Sequence, residues 1–241
     1  MEFLNICNFN YIYFEHRHKI IIFSCFRRKW YKIWQSNGFY VLAIDYRGYG
    51  DSSRIKQITE TSLVQDALST LKWLQNCIHP DAQILIWGHS LGTGVTCKLG
   101  SILSGSEIRP KGYVLESPFD SMYSISSYLK DNGSGIFGWV IGVINWIFDY
   151  FVDIKRLLKE RDLLFDSVTS SKEINEKVVI LHAKDDAIVP FQLGKNLHQK
   201  RLESSKAVEC FLFEAEHGLG HDDIWKYKEL QNVIKYIQKI K

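Results

Sequence analysis

Short, almost purely apolar runs alternate along this chain with longer segments in which apolar residues recur every three or four positions. The first kind reads as strand buried on both faces, the second as helix lying across a sheet. Strands are expected at His18–Ser24 (HKIIIFS), Phe39–Tyr46 (FYVLAIDY), Ala82–Trp87 (AQILIW), Lys111–Glu116 (KGYVLE), Lys177–Ala183 (KVVILHA) and Ala207–Phe213. Helices are expected between them. Phe26–Ser36 is stopped by Gly38, and Thr61–Cys77 carries Leu63, Ala67, Leu71 and Leu74 on one face. Leu91–Ser104, Phe191–Leu202 (opening after Pro190) and a closing Asp223–Ile240 complete the set. Such alternation implies an α/β fold, with parallel strands joined by right-handed crossovers. Ligands bind such sheets at the carboxyl ends of the strands, so chemistry is sought in the loops that follow strands.

One stretch breaks the rhythm. Pro118–Glu176 is aromatic-rich and has no strand character, which marks it as a helical lid inserted into the domain. Within it, Gly135–Phe148 (GIFGWVIGVINWIF) is uncharged but shorter than a membrane span needs. Ile136, Phe137, Trp139, Val140, Ile144, Trp146, Ile147 and Phe148 fit contact with an acyl chain or a membrane surface, and equally a buried helix of the cap. The opening MEFLNICNFN lacks the basic start and cleavage site of a secretory signal. The expected layout is an atypical segment at 1–25 and one domain at 26–241, with 118–176 as its insertion.

Composition narrows the classes. The chain has 241 residues, 46% hydrophobic and 24% charged, which suits a single well-packed domain. A formal charge of +3 with no basic block gives nucleic acid nothing to hold. Cys7, Cys25, Cys77, Cys97 and Cys210 are scattered and odd in number, so reduced thiols are expected rather than a disulfide framework or zinc ribbon.

The chemistry concentrates in Gly88-His89-Ser90-Leu91-Gly92. This G-x-S-x-G stretch follows an expected strand and opens an expected helix, the context of a nucleophile elbow. The turn exposes the Ser90 hydroxyl at the tip of the sheet, and the Leu91 main-chain N–H is the expected oxyanion donor. A serine nucleophile needs a base and an acid to orient it, and in this fold they follow in the order serine, acid, histidine. Two later loops supply them. Lys184–Pro190 holds Asp185 and Asp186; Glu216–Asp223 holds His217 and His221. Asp186 is the preferred acid, with Asp185 as alternative, helper or helix cap. Glu116 and Asp120 are lesser candidates, and Asp45 is read as organising the RGYGDSS loop. His221, approached through Gly-Leu-Gly, is the preferred base and His217 the alternative. His217, His221, Asp222 and Asp223 also admit a metal-cluster reading, but the glycines between the histidines break the helical spacing of a zinc helix, and no metal is expected. His89 and His182 read as packing residues beside the site.

From about Phe39 onward the chain resembles the membrane-bound α/β-hydrolase-domain serine lipases, the lysophosphatidylserine lipase and monoacylglycerol lipase type. The resemblance rests on DYRGYGDS (Asp45–Ser52), IWGHSLGTGV (Ile86–Val95), LESPF (Leu115–Phe119) and ILHAKDDAIVPFQLGKNLH (Ile180–His198). It implies an α/β-hydrolase fold and a Ser90–Asp186–His221 triad. It also implies cofactor-free hydrolysis of a lysophospholipid or monoacylglycerol ester, and association with membrane, that of the endoplasmic reticulum. The start of the chain departs from the family. Such enzymes carry an N-terminal membrane helix and then a strand ending in a His-Gly loop that gives a second oxyanion donor. Here KIIIFS runs through Cys25-Phe26 into a helix, with no His-Gly pair and no transmembrane helix evident. A catalytically weak or inactive lipid- or partner-binding module is therefore the alternative, and a thioesterase or peptidase on the same site a third reading.

Overall fold

The computed structural model describes residues 19–23, 28–132 and 154–240. Among the described residues six strands form one sheet: β1 (Lys19–Phe23), β2 (Phe39–Ala43), β3 (Gln83–His89), β4 (Gly112–Glu116), β5 (Lys177–Ala183) and β6 (Val208–Phe213). Their spatial order is β2-β1-β3-β4-β5-β6, and every pairing is parallel. Eight α-helices accompany them among the described residues. They are α1 (Arg28–Ser36), α2 (Glu60–Gln75), α3 (Leu91–Leu103), α4 (Met122–Asn132), α5 (Ile154–Glu160), α6 (Ser167–Glu173), α7 (Phe191–Glu203) and α8 (Leu230–Gln238).

Successive residues of a strand point to opposite faces, and here they enter two separate cores. Leu42, Ile84, Ile86, Tyr113, Leu115, Val178 and Ile180 face α2, α3 and α7. Val41, Leu85, Trp87, Val114, Val179 and Leu181 face α1 and α8. This is why the strands read as continuous apolar runs. On the second face Trp30 and Trp34 of α1 lie against Trp87 of β3, with ring centroids 4.6 and 5.6 Å apart. Cys77, Cys97 and Cys210 are free thiols. Burial pushes the Cys97 thiol up to about 12, so it is inert packing.

The segment expected as an insertion, Pro118–Glu176, has both of its ends packed into the body of the fold. Phe119, Phe165 and Ile174 belong to the first core. The glycines of α3 make room for two of them: a Cβ at Gly94 would lie 2.9 Å from Phe165, and one at Gly100 would lie 2.6 Å from Ile174. The two ends are also stitched together. Met122 N–H donates to Leu164 O at 3.0 Å, and Ser167 N–H to Asp120 O at 2.9 Å. Residues 133–153, including the Ile136–Phe148 candidates for acyl or membrane contact, lie outside the described residues, as do residues 1–18. Among the described residues no helix is long and apolar enough to cross a membrane.

The closing helix differs from expectation. Asp223–Ile240 is not continuous: a short 3-10 turn (Ile224–Lys226) is separated from α8 by an extended Tyr227 at φ −58°, ψ 128°. The break lets the Tyr227 ring pack on Phe213 and His217, at centroid distances of 4.8 and 5.1 Å.

Arg201 on α7 is fully buried. Its guanidinium donates to the main-chain carbonyls of Ser171, Glu176 (3.3 Å) and Ala207 (3.0 Å), joining the end of α6 to the starts of β5 and β6. Burial holds this guanidinium down at about 10. Arg201→Met keeps the aliphatic bulk and strands three acceptors. The expected cost is about 3 kcal/mol, a melting temperature lower by about 6–12 °C, measured by calorimetry.

Candidate active site

β3 ends at His89, α3 begins at Leu91, and Ser90 is the whole of the turn between them. Its backbone sits at φ 52°, ψ −121°, a conformation a non-glycine residue adopts only under constraint. Ser90 N–H donates to Glu116 O of β4 at 3.0 Å, and Thr93 N–H closes the turn on Ser90 O at 2.8 Å. A Cβ on Gly88 would lie 2.3 Å from Gly92 O, so only glycine lets the strand and helix approach this closely. Leu91 occupies the first turn of α3, where main-chain N–H groups have no intrahelical acceptor and carry the positive end of the helix dipole.

The loops after β5 and β6 meet beside this elbow. Asp186 Oδ2 lies 2.8 Å from His221 Nδ1. A carboxylate only accepts, so His221 carries its hydrogen on Nδ1 and keeps the Nε2 lone pair for a proton. Asp186 Oδ1 accepts from the N–H groups of Ile188 (2.9 Å) and Val189 (2.8 Å). Burial of this side chain would raise its pKa. The hydrogen bonds from His182, His221 and Val189 N–H outweigh that and hold the carboxyl well below the usual carboxylate range. The His221 ring packs, tilted by 54° with centroids 4.7 Å apart, against the ring of His89, the residue before Ser90. No hydrogen bond from the Ser90 hydroxyl occurs among the described residues. In unliganded sites this last link is often long and tightens when substrate binds.

The alternatives fall elsewhere. His217 is exposed in a 3-10 turn (Ala215–His217), edge-on to Tyr227. Asp185 Oδ2 accepts Gly220 N–H at 2.9 Å, which fixes the approach to His221 rather than its ring. Glu116 is fully buried and takes the indole N–H groups of Trp30 and Trp87, each at 3.0 Å. Asp120 accepts from Asn196 at 2.7 Å. Asp45 stays with its own loop, its main-chain oxygen accepting from Ser52 Oγ at 2.5 Å.

Three groups near the elbow do offer metal-ligating atoms within 4.8 Å of one another: His89, His221 and Asp222. This is a different membership from the cluster read in the sequence, which spans His217 to Asp223. His89 Nε2 lies 3.0 Å from His221 O. A carbonyl only accepts, so that nitrogen bears hydrogen and has no lone pair for a metal.

Sequence reasoning missed a second imidazole on the acid. His182 is fully buried, with Nε2 3.3 Å from Asp186 Oδ2 and 2.9 Å from Val189 O. Its packing is tight, since a Cβ on Gly194 would lie 2.4 Å from His182 Nδ1. The signal lay in the HAKDD string, where a strand histidine precedes Asp186 by four residues. Ser117, within LESPF, was missed in the same way: its hydroxyl donates to His221 O at 3.3 Å.

The family model "Serine aminopeptidase, S33" matches residues 26–177. The chain is 34% identical over 208 residues to Lysophosphatidylserine lipase ABHD12 of Danio rerio, covering 85% of this chain and 51% of that protein. To the Bos taurus protein of the same name it is 32% identical over 209 residues, covering 85% and 50%. The chain thus spans about half the length of these curated relatives. Among solved structures it is similar to the acetyl xylan esterase from Paenibacillus sp. R4. The TM-score is 0.65 at 19% identity, over 93% of this chain and 74% of that one, a likeness of fold.

Proposed function

Since the chain belongs to the serine aminopeptidase S33 family, whose fold here is that of the α/β hydrolases, we propose that it is a serine hydrolase cleaving carboxylic esters of lipids. The substrate class we infer is lysophospholipid or monoacylglycerol. The observation that carries the reading is the 2.8 Å Asp186–His221 hydrogen bond beside a serine in a strained strand-to-helix turn.

In the proposed reaction Ser90 Oγ attacks the ester carbonyl carbon, and its proton passes to His221 Nε2. Asp186 keeps the imidazole in the right tautomer and offsets its charge. The carbonyl oxygen becomes an oxyanion facing the Leu91 N–H. Collapse expels the alcohol, which takes the proton from His221. Water, activated by the same imidazole, then releases the fatty acid and restores Ser90. The names of the relatives support the lipid part of the reading, and lysophosphatidylserine is accordingly the first lysolipid to try. A lipid substrate also brings the enzyme to a membrane surface, by resemblance that of the endoplasmic reticulum, with the insertion as the contact.

One observation favours the second reading, a hydrolase-fold module that binds without turnover: no His-Gly pair follows the first strand. The experiment that separates them uses a fluorophosphonate probe and a substrate panel on the folded chain. Labelling at Ser90 is expected, with turnover of glycerol esters and lysolipids well above that of acylated peptides or amides. A folded chain that takes no label and turns over no ester, yet still binds lipid vesicles, would hand the case to the binding module. A preference for thioesters or amides would move it to the thioesterase or peptidase reading.

A further inference from the structure

Ser117 follows β4 directly and holds φ 52°, the same left-handed value as Ser90. A non-glycine residue is held there only when its surroundings over-determine it, and such outliers collect at functional sites. Ser117 is fully buried, and its N–H stays paired across the sheet with Leu181 O at 2.8 Å. The conformation aims the hydroxyl at the carbonyl oxygen of His221, 3.3 Å away. A second donor converges on the same oxygen: His89 Nε2, at 3.0 Å. One residue earlier, Gly220 N–H is held by Asp185 at 2.9 Å. The main chain on both sides of the His221 imidazole is therefore pinned by groups from three different strand ends, β3, β4 and β5.

We propose that Ser117 is a positioning residue for the base: together with His89 it fixes the His221 main chain, so that the imidazole is delivered to the Ser90 hydroxyl by side-chain torsion alone. This rests on the reading of Ser90, His221 and Asp186 as the reacting triad. The bland alternative is a buried hydroxyl that has merely found an acceptor.

The test compares Ser117→Ala, which removes the donor and keeps the left-handed backbone demand, with Ser117→Gly, which removes both. Each is assayed for kcat and KM on a short-chain p-nitrophenyl ester, for the rate of fluorophosphonate labelling at Ser90, and for melting temperature. Both variants are expected to lose about tenfold in kcat, the rate equivalent of one ordinary net hydrogen bond. Labelling should slow by the same factor while KM stays within about twofold, as expected when only transition-state geometry suffers. Ser117→Gly should be at least as stable as Ser117→Ala. Wild-type kcat and labelling in both variants would overturn the proposal. So would a loss that merely tracks melting temperature and vanishes on cooling. His221→Ala serves as the control: if it labels and turns over like the wild type, the base is misassigned and the failure lies with the triad reading instead.

Discussion

Alanine at position 90 is expected to lower ester turnover by at least about 10,000-fold, because removal of an activated nucleophile leaves only what the oxyanion donor and binding contribute. The fold should not notice. Alanine retains the Cβ that the φ 52° turn already accommodates, and the hydroxyl makes no hydrogen bond among the described residues. The turn itself is closed by main-chain groups of Ser90, Thr93 and Glu116. The melting temperature should therefore stay within about 2 °C, less than the shift from 1 kcal/mol in a domain of this size. Steady-state assays on a monoacylglycerol and a lysolipid check the first part, calorimetry the second. Retention of a tenth of wild-type turnover would place the chemistry on another residue.

Asp186→Asn should cost about 10,000-fold in kcat near neutral pH, for a different reason. The amide keeps an oxygen for the N–H groups of Ile188 and Val189, but turns its NH2 toward His221 Nδ1. The imidazole then carries its hydrogen on Nε2 and has no lone pair for the serine proton. The same variant gives a pH signature. In the folded chain the Asp186 carboxyl is held below the usual range, chiefly by His182 and His221 acting against burial. A depressed carboxyl adds stability that is fully present above the unfolded value near 4 and is lost as pH falls below it. Urea titrations from pH 7 to pH 3 should accordingly show the wild-type advantage over Asp186→Asn constant down to about pH 5 and shrinking below about pH 4. An advantage independent of pH would mean the carboxylate is not held by charge-assisted bonds.

Much of this arrangement was legible in the chain because it is written in local pattern. Each of the six strands and the helices α1, α2, α3 and α7 appear within a few residues of their expected bounds, since two-sided burial leaves strands apolar and crossover helices amphipathic. The elbow was legible because its sterics demand glycine at fixed offsets. What was not legible depended on partners distant in sequence. The split of Asp223–Ile240 comes from Tyr227 packing on Phe213 and His217, and nothing local forbids a helix there. The inward return of Phe165 and Ile174 depends on vacant space at Gly94 and Gly100, which in sequence reads only as a poor helix. The contact of Ser117 with His221 O is invisible for a similar reason, since 104 residues separate the two, whereas the His182–Asp186 pairing spans only four residues and was legible in the HAKDD string.

The stitching at the two ends of the insertion has a consequence for how such a protein diversifies. Met122 with Leu164, and Asp120 with Ser167, form a narrow neck. Residues 123–163 leave and re-enter through it as a cassette whose entry and exit lie side by side, with Asp162 near the exit also tied to the start of α2 by Glu60 N–H at 2.7 Å and Thr61 N–H at 2.9 Å. A cassette with adjacent ends can be lengthened, shortened or exchanged at little entropic penalty to the rest of the chain. The proposed hydrolytic groups, Ser90, Asp186 and His221, follow β3, β5 and β6 outside the neck and need not move when it changes. On the proposed hydrolase reading, taste for different substrates can thus evolve in one exchangeable segment while the reaction engine is inherited unchanged.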